Sequence, residues 1–343
     1  MTQKRPTSFD IAALAGVSQP TVSRALTGNP SVSEATRARV LSAAEQLNYK
    51  VDKNASGLRR QQSRTLALLF FEEPGAEAAL INPFYLSLLG PMVRCCAAHG
   101  YDLLISTQQL SADWHVDYED SRKADGIILL GYGDYIEAQP KLRNLIAHGA
   151  HFVRWGSAGD AQVGATVSSD NEQGGYDATT HLLRLGRKRI AFIGTAEPRY
   201  PEFLERWRGY LRALREVGLD PDERLRVNAD PNEAAGRAGV LELVSRGVDF
   251  DAVFGACDVA AIGAMHALQR DGRSVPGDVA IVGFDDIASA SLSSPPLTTV
   301  RQDARAAAEA LVETLLRTIE SSDAENRLLP VKLVVRDSSG AGS

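Results

Sequence analysis

The chain has 343 residues, long enough for two or three domains with sizeable cores, and 44% of them are apolar without a run long enough to span a bilayer. Its formal charge of −6 argues at first against a nucleic-acid partner, and its three cysteines, two of them adjacent at Cys95 and Cys96, make neither a disulfide framework nor a zinc spacing. The opening MTQKRPTSFD lacks the apolar segment of a secretory signal, so a cytoplasmic location is expected.

The charge is unevenly placed. Residues 1–64 hold ten Lys or Arg against four Asp or Glu, a balance of +6, whereas the remainder holds 27 against 39, a balance of −12. A small basic head on a large acidic body is the asymmetry expected when only the head meets phosphate.

In chain order, residues 9–28, FDIAALAGVSQPTVSRALTG, give two short helical patterns about a tight turn at Gly16-Val17-Ser18. In the first, Ile11, Leu14 and Ala15 recur at helical spacing, with Thr7 or Ser8 placed as the cap. Ser18 is placed to cap the second, and Pro20 near its start loses only an N–H that has no intrahelical partner. Val22, Ala25 and Leu26 form its apolar face, leaving Gln19, Thr21, Ser23 and Arg24 on the other. Gly16 permits the reversal because a residue without Cβ takes a positive φ at little cost. This is the shape of a helix-turn-helix whose second helix lies in a DNA major groove, the alternative being a helical hairpin with a polar solvent face. A loop and a third helix follow, with Ser33 as cap, Glu34 at the positive end, and Val40, Leu41, Ala44 and Leu47 on the buried side.

Residues 50–64, KVDKNASGLRRQQSR, are polar and basic, with Ala55 and Leu58 as an apolar pair three apart. They read either as a solvated linker or as a short helix formed only on DNA, with Leu58 wedged between base steps of the minor groove. Gly57 disfavours the free helix by about 1 kcal/mol relative to Ala.

The segments DIAALAGVSQPTVSRALTG, VSEATRARVLSAAEQLNY and ASGLRRQQSRTLALLF together resemble the lac repressor (LacI/GalR) family of bacterial transcription regulators, and the similarity extends over nearly the whole chain. The resemblance implies that Gln19, Pro20 and Arg24 read bases and that Thr21 and Ser23 support base or phosphate contacts, with Ser18 at the helix start counted among the DNA-binding positions. Arg24 suits a bidentate contact to guanine and Gln19 one to adenine, while Pro20 offers only apolar contact. Ser33 and Tyr49 match phosphate-contacting positions and Leu58 matches the paired minor-groove wedge, with Ala55, its apolar partner in the hinge, counted among the DNA-binding positions. Val51-Asp52 departs from the family's usual Pro-Asn before that hinge.

From Thr65 onward, the apolar runs TLALLFF, DLLIST, GIILLG and HFVRW are separated by helical stretches near 84–99, 114–123 and 135–148. A second set, RIAFIG, DAVFGA and VAIVGFDD, is separated by helices near 172–185, 202–217, 232–246 and 259–271. Alternation of this kind predicts an α/β fold of two doubly wound parallel sheets with a ligand crevice at their strand ends. The segment LLPVKLVVRDSSGAGS reads as a strand and a short disordered tail, with no heptad pattern beyond it, so a homodimer is expected rather than a tetramer.

The organisation expected is therefore a helix-turn-helix head (1–50), a hinge (51–64) and a core (65–343). The resemblance implies a periplasmic-binding-protein-like core crossed three times, near residues 165, 291 and 325. Lobe 1 would hold about 65–165 and 292–325, and lobe 2 about 166–291 and 326–338.

Phe84 and Tyr85, at the start of the first core helix, are core aromatics or a stacking surface for a sugar or base at the crevice mouth. Asp285 ends an apolar strand, where a carboxylate can accept sugar hydroxyls. Asp170 and Asn171 line the crevice or cap the helix that follows, with capping favoured for Asn171. The resemblance implies that Arg206, three residues before Gly209, holds effector oxygens. Cys257 stands where many sugar-binding relatives have Asn, and Pro231 where an aromatic often packs, a place Trp155 could fill from the other lobe.

The reading is a DNA-binding regulator, most often a repressor in this family, that binds a pseudo-palindromic operator as a homodimer under allosteric control by a sugar or sugar derivative. A nucleobase or other metabolite acting as corepressor is the alternative. No enzyme is expected: the chain lacks G-x-G-x-x-G after its first core strand, a P-loop and a G-x-S-x-G elbow. His99, His115, His148, His151, His181 and His266 form no metal spacing, and no cofactor is implied.

Overall fold

The structure is a computed structural model that describes residues 6–26, 28–47, 49, 62–71, 81–131, 135–157, 163–321 and 325–340. The hinge reading at Ala55 and Leu58 lies outside these residues. The chain divides into two units, Met1–Ser63 and Arg64–Ser343.

The first unit holds α1 (Ser8–Ala15), α2 (Gln19–Leu26) and α3 (Glu34–Gln46). Thr7 starts α1 by donating its N–H to Asp10 Oδ2 at 2.7 Å. Gly16 ends it at φ 65°, in the left-handed region where a Cβ is penalised. Ser18 accepts from Thr21 N at 3.4 Å, and Ser33 accepts from Thr36 N at 3.3 Å to cap α3. Ile11, Val22 and Val40 are fully buried among Ala12, Ala15, Ala25, Ala43 and Ala44. Leu14 and Leu41, expected on the buried faces, are instead 51% and 50% exposed. Helices this short bury one narrow stripe, and small alanines occupy it where leucines were expected.

The second unit contains two six-stranded sheets. In lobe 1, β1 (Thr65–Phe70), β2 (Asp102–Thr107), β3 (Gly126–Leu130), β4 (Phe152–Trp155) and β5 (Ala165–Ser169) join β11 (Arg327–Leu329) in the order β11-β5-β4-β3-β1-β2. All neighbours there are parallel. In lobe 2, β6 (Ile190–Ile193), β7 (Arg226–Val227), β8 (Ala252–Gly255), β9 (Ala280–Asp285) and β10 (Thr298–Gln302) join β12 (Val331–Val334), in the order β12-β10-β9-β8-β6-β7. There β12 runs antiparallel to β10, so the second sheet is not purely parallel.

The helices of lobe 1 are α4 (Pro83–Ala98), α5 (Tyr135–Ala147) and α11 (Ala304–Ser321); lobe 2 carries α6 (Asn171–Arg184), α7 (Pro201–Glu216), α8 (Glu233–Ser245) and α9 (Asp258–Arg270), and the short α10 (Ala288–Leu292) follows β9. The helix expected near 114–123 is a π-helical turn, His115–Asp120. Glycines set how closely α6 and α7 approach: a Cβ at Gly209 would lie 2.0 Å from the Glu172 carbonyl oxygen.

Sheet membership moves the three crossings from the expected 165, 291 and 325. The chain leaves lobe 1 after Ser169, returns after Gln302, and leaves again at Pro330, between β11 and β12. The reason is that ATVSS and TTVRQ, though polar in composition, complete sheets as buried strands. The final segment is likewise two strands in different sheets, because Pro330 has no N–H to continue a ladder. Its tail is ordered through Gly340, with Ser338 Oγ donating to Ile281 O at 2.7 Å.

Candidate recognition helix and inter-lobe crevice

In the head, Ser18, Pro20 and Arg24 are exposed, while Gln19, Thr21 and Ser23 are half-buried. The α2 surface away from Val22 and Ala25 thus carries the polar set, and Gln19 is tied back to α1 through Ser8 Oγ at 3.2 Å. Ser33 serves as the α3 cap, and Tyr49 packs half-buried against the head core.

In the core, the carboxyl ends of β1 to β4 open on one cleft. It is lined by Phe71 after β1, Gln108 after β2, Leu130 and Gly131 at the end of β3, and Arg154 and Trp155 ending β4. Trp114, with Ala138 and Leu142 of α5, forms another wall. Pro201 and Glu202, at the start of α7, face it from lobe 2. A cleft at strand carboxyl ends between two lobes is the usual ligand position in open α/β folds.

Polar side chains continue from that cleft between the lobes. Arg154 Nη2 donates to Ser157 O at 2.9 Å. A Cβ at Gly156 would lie 2.8 Å from Glu202 Oε1 and 2.9 Å from Arg154 Nη1, so the missing side chain leaves room for both charges. Burial pushes the Glu202 carboxyl up, with Arg206 and Arg154 opposing the shift. Glu205 is also raised by burial; it accepts from the Ser157 hydroxyl and, at 3.2 Å, from Asn171 Nδ2.

Arg206 is fully buried, its Nε donating to Asn171 Oδ1 at 2.9 Å and its Nη1 to Ala256 O at 2.5 Å. Its guanidinium lies 3.7 Å from Asp285 Oδ1 and 3.7 Å from the centroid of the Phe284 ring. Asp285, at φ 120°, also accepts from Gln302 Nε2 at 2.7 Å. Cys257 sits at the N-cap of α9, fully buried, and burial raises its thiol far above the ordinary range, with Asp285 adding to the shift.

The seven effector positions expected from the sequence therefore fall into three groups. Arg206, Cys257 and Asp285 come together at the inner end of this network. Phe84, Tyr85 and Trp155 pack as an aromatic cluster, with Phe84 5.5 Å from Trp155; of these only Trp155 lines the cleft. Phe84 and Tyr85 are 2% and 1% exposed, the core alternative of their two readings. Asp170 is the cap of α6, accepting from Gln173 N at 3.0 Å. The capping expected of Asn171 is thus done by its neighbour, because Asn171 turns inward to hold Arg206. Gln108, Trp114, Arg154, Glu202, Glu205 and Gln302 were not anticipated. The available signal was positional: Gln108 and Arg154 stand at the ends of apolar runs, and Glu202, Glu205 and Arg206 share one helix face by spacing.

A polar-faced helix-turn-helix head joined to a two-lobed α/β core with a crevice defines a ligand-responsive DNA-binding protein. Residues 9–52 match the model of bacterial regulatory proteins, lacI family, and residues 179–339 match a periplasmic binding protein-like domain. The chain is 32% identical over 343 residues to the HTH-type transcriptional regulator CelR of Thermobifida fusca, covering 98% of this chain and 99% of the relative. A solved CelR–cellobiose complex matches with a TM-score of 0.72 at 31% identity, over 97% of this chain and 100% of that one. The lac repressor dimer bound to operator and an anti-inducer matches with a TM-score of 0.82 at 25% identity, over 98% and 99%. The chain belongs to the lacI family and is a DNA-binding transcriptional regulator. Among the described residues no helix is long and apolar enough to cross a membrane.

Proposed function

We propose that the protein is a dimeric repressor whose operator affinity is set by a sugar or sugar derivative bound between the core lobes. The observation that carries this reading is the cleft itself: Trp155, Trp114 and Phe71 give apolar faces, and Gln108, Arg154 and Glu202 give a polar rim. Flat apolar surface beside hydroxyl-pairing groups suits a pyranose, which has an apolar face and a polar edge. The CelR–cellobiose neighbour supports the same ligand class. Gln19 and Arg24 of α2 would read base edges and Pro20 a thymine methyl, with Ser18, Thr21, Ser23, Ser33 and Tyr49 holding register on phosphate.

Dimerisation has a physical basis in lobe 1. The edge strand β2 leaves Leu104 36% and Ile105 49% exposed, and the neighbouring α4 leaves Leu86 44% and Val93 48% exposed. Two heads on one dimer would meet the two halves of a pseudo-palindrome. Lobe closure would then act through residues 50–64 on the separation of the heads, and a coupling of about 1–3 kcal/mol changes operator affinity roughly 5–150-fold.

The test is a thermal-shift screen of cellobiose, ribose, other sugars and nucleobases, since a ligand of the folded state raises the melting temperature. Hits are then added to a gel shift on the region upstream of the protein's own gene. A sugar that both stabilises the protein and moves the shifted band supports the reading; a response to nucleobases alone overturns the sugar assignment.

A further inference from the structure

Carboxyl groups outnumber guanidiniums around the crevice. Glu202 lines the cleft, and Glu205 stands one helical turn behind it on α7. Asp285 and Asp258 lie deeper, both buried. Against these four carboxyls stand two guanidiniums, and each is committed to protein acceptors: Arg154 to the carbonyl of Ser157, Arg206 to Asn171, Ala256 and Asp285. The cleft thus meets its occupant with a carboxylate from lobe 2 and, across from it, with Arg154 of lobe 1, while Arg206 is held deeper within the protein.

We infer that Glu202, backed by Glu205, is a specificity-determining group that admits uncharged sugars to the crevice and rejects sugar phosphates and sugar acids. This rests on the crevice being the sugar site. An uncharged sugar offers hydroxyl donors, and a carboxylate, which only accepts, pairs with them in charge-assisted hydrogen bonds. The phosphate group of a sugar phosphate, or the carboxylate of a sugar acid, presents only acceptor oxygens where a neutral sugar has a hydroxyl, and it carries the same sign of charge. In a buried site, a like charge about 5 Å away at an effective dielectric near 20 disfavours binding by at least roughly 100-fold. Gly156 contributes by leaving open the place where Glu202 and Arg154 converge, so the carboxylate stands at the wall of the cleft.

The test uses the full-length protein and isothermal titration with matched pairs: cellobiose and cellobiouronic acid, glucose and glucose 6-phosphate, ribose and ribose 5-phosphate. The wild type is expected to bind at least one neutral member and to bind its anionic partner at least roughly 100-fold more weakly. Glu202→Gln keeps the shape and removes the charge, so the neutral-to-anionic ratio should narrow at least tenfold. A wild type that takes the anionic partner equally well, or an unchanged ratio in Glu202→Gln, overturns the inference. Should that variant lose all binding, pH provides the same readout without substitution. Glu202 faces Glu205 and Arg206 on its own helix and Arg154 on β4. Burial pushes its carboxyl above the ordinary carboxylate range, so Glu202 takes up a proton before a solvent-exposed uronate does, and the ratio should narrow on acidification. A pH-independent ratio counts against Glu202. A wild type that binds no sugar of either charge sinks the sugar reading and this inference together, an outcome distinct from sugar binding without charge discrimination.

Discussion

Arg206→Met removes a buried guanidinium and leaves its anion in place. The pair is 3.7 Å apart with both side chains fully buried, so at an effective dielectric near 20 the gross attraction is about 4–5 kcal/mol. Desolvation cancels much of that in the intact pair, but removing one partner exposes the full cost of an uncompensated buried charge, typically about 3–5 kcal/mol. The ligand-free core should therefore lose about that much stability, with the hydrogen bonds to Asn171 and Ala256 included in the loss. Trp114, Trp155 and Trp207 are the three tryptophans and all lie in the core, so urea unfolding followed by tryptophan fluorescence reads this unit without the head. Adding Asp285→Asn to the Arg206→Met background removes the stranded charge and should recover about 1–3 kcal/mol. If Arg206→Met loses the effector response while the ligand-free midpoint stays where it was, Arg206 is a ligand contact only and the structural role argued for it is wrong.

Gly209→Ala places a methyl 2.0 Å from the Glu172 carbonyl. It should cost about 1–3 kcal/mol or more, lowering the same fluorescence midpoint; an unchanged midpoint means that α6 and α7 are not so closely packed. His151 lies 3.4 Å from Glu119, and the hydrogen bond with that carboxylate raises its imidazole above the ordinary 6.5. The charged form is favoured in the folded state, so this contribution is present below about pH 6.5 and is lost as pH rises through the raised value. His151→Gln should flatten the pH dependence of the melting temperature between 6 and 8, and parallel curves for variant and wild type would count against it. Ile105→Glu, at the exposed edge of β2, should yield monomers in analytical ultracentrifugation while leaving the core's melt nearly unchanged; a persistent dimer places the interface elsewhere. Arg24→Ala should weaken specific operator binding by about 1–3 kcal/mol and relax the preference at one base pair, read by gel shift on an operator series.

Much of the architecture is written in apolar periodicity. Runs such as TLALLFF and GIILLG became buried central strands because strands covered on both faces need apolar side chains at every position. The strands that carry the chain out to a crossing do not have that signature. ATVSS and TTVRQ are buried by what they pair with, so composition gave no warning, and the crossings were expected too early. The alternation read along the core also omits α11, although its alanines and leucines bury one face against β3, β4 and α4. In the buried network between the lobes, Arg206 was named through resemblance and Asp285 by its place at the end of an apolar strand, and the fold brings the two together. The role of Asn171 was not legible, because one Asn suits a cap as well as an arginine clamp, and only the turn of Asp170 into the cap position decides between them. Arg154 and Glu202 come from different lobes and meet only in the fold, a juxtaposition no local spacing encodes.

The crossings and the crevice are built from shared residues, and this bears on how a ligand could act at a distance. At the first crossing, Asp170 donates its N–H to Leu329 O at 2.9 Å, joining it to the third. Asn171, next in the chain, holds both Glu205 and Arg206. Gln302 ends the strand at the second crossing and holds Asp285, which faces Arg206. Ser157 of lobe 1 donates to Glu205 of lobe 2, so one polar chain spans the lobes and reaches their connections. A ligand hydroxyl that paired with Glu202 or competed for Glu205 would change the charge environment of Arg206 directly, because all three lie on one face of α7. Buried charges in this setting do not relax by small degrees, since a lost partner costs kilocalories. Lobe closure is therefore suited to two discrete arrangements, the physical requirement for a ligand in the crevice to bias what the head does on DNA.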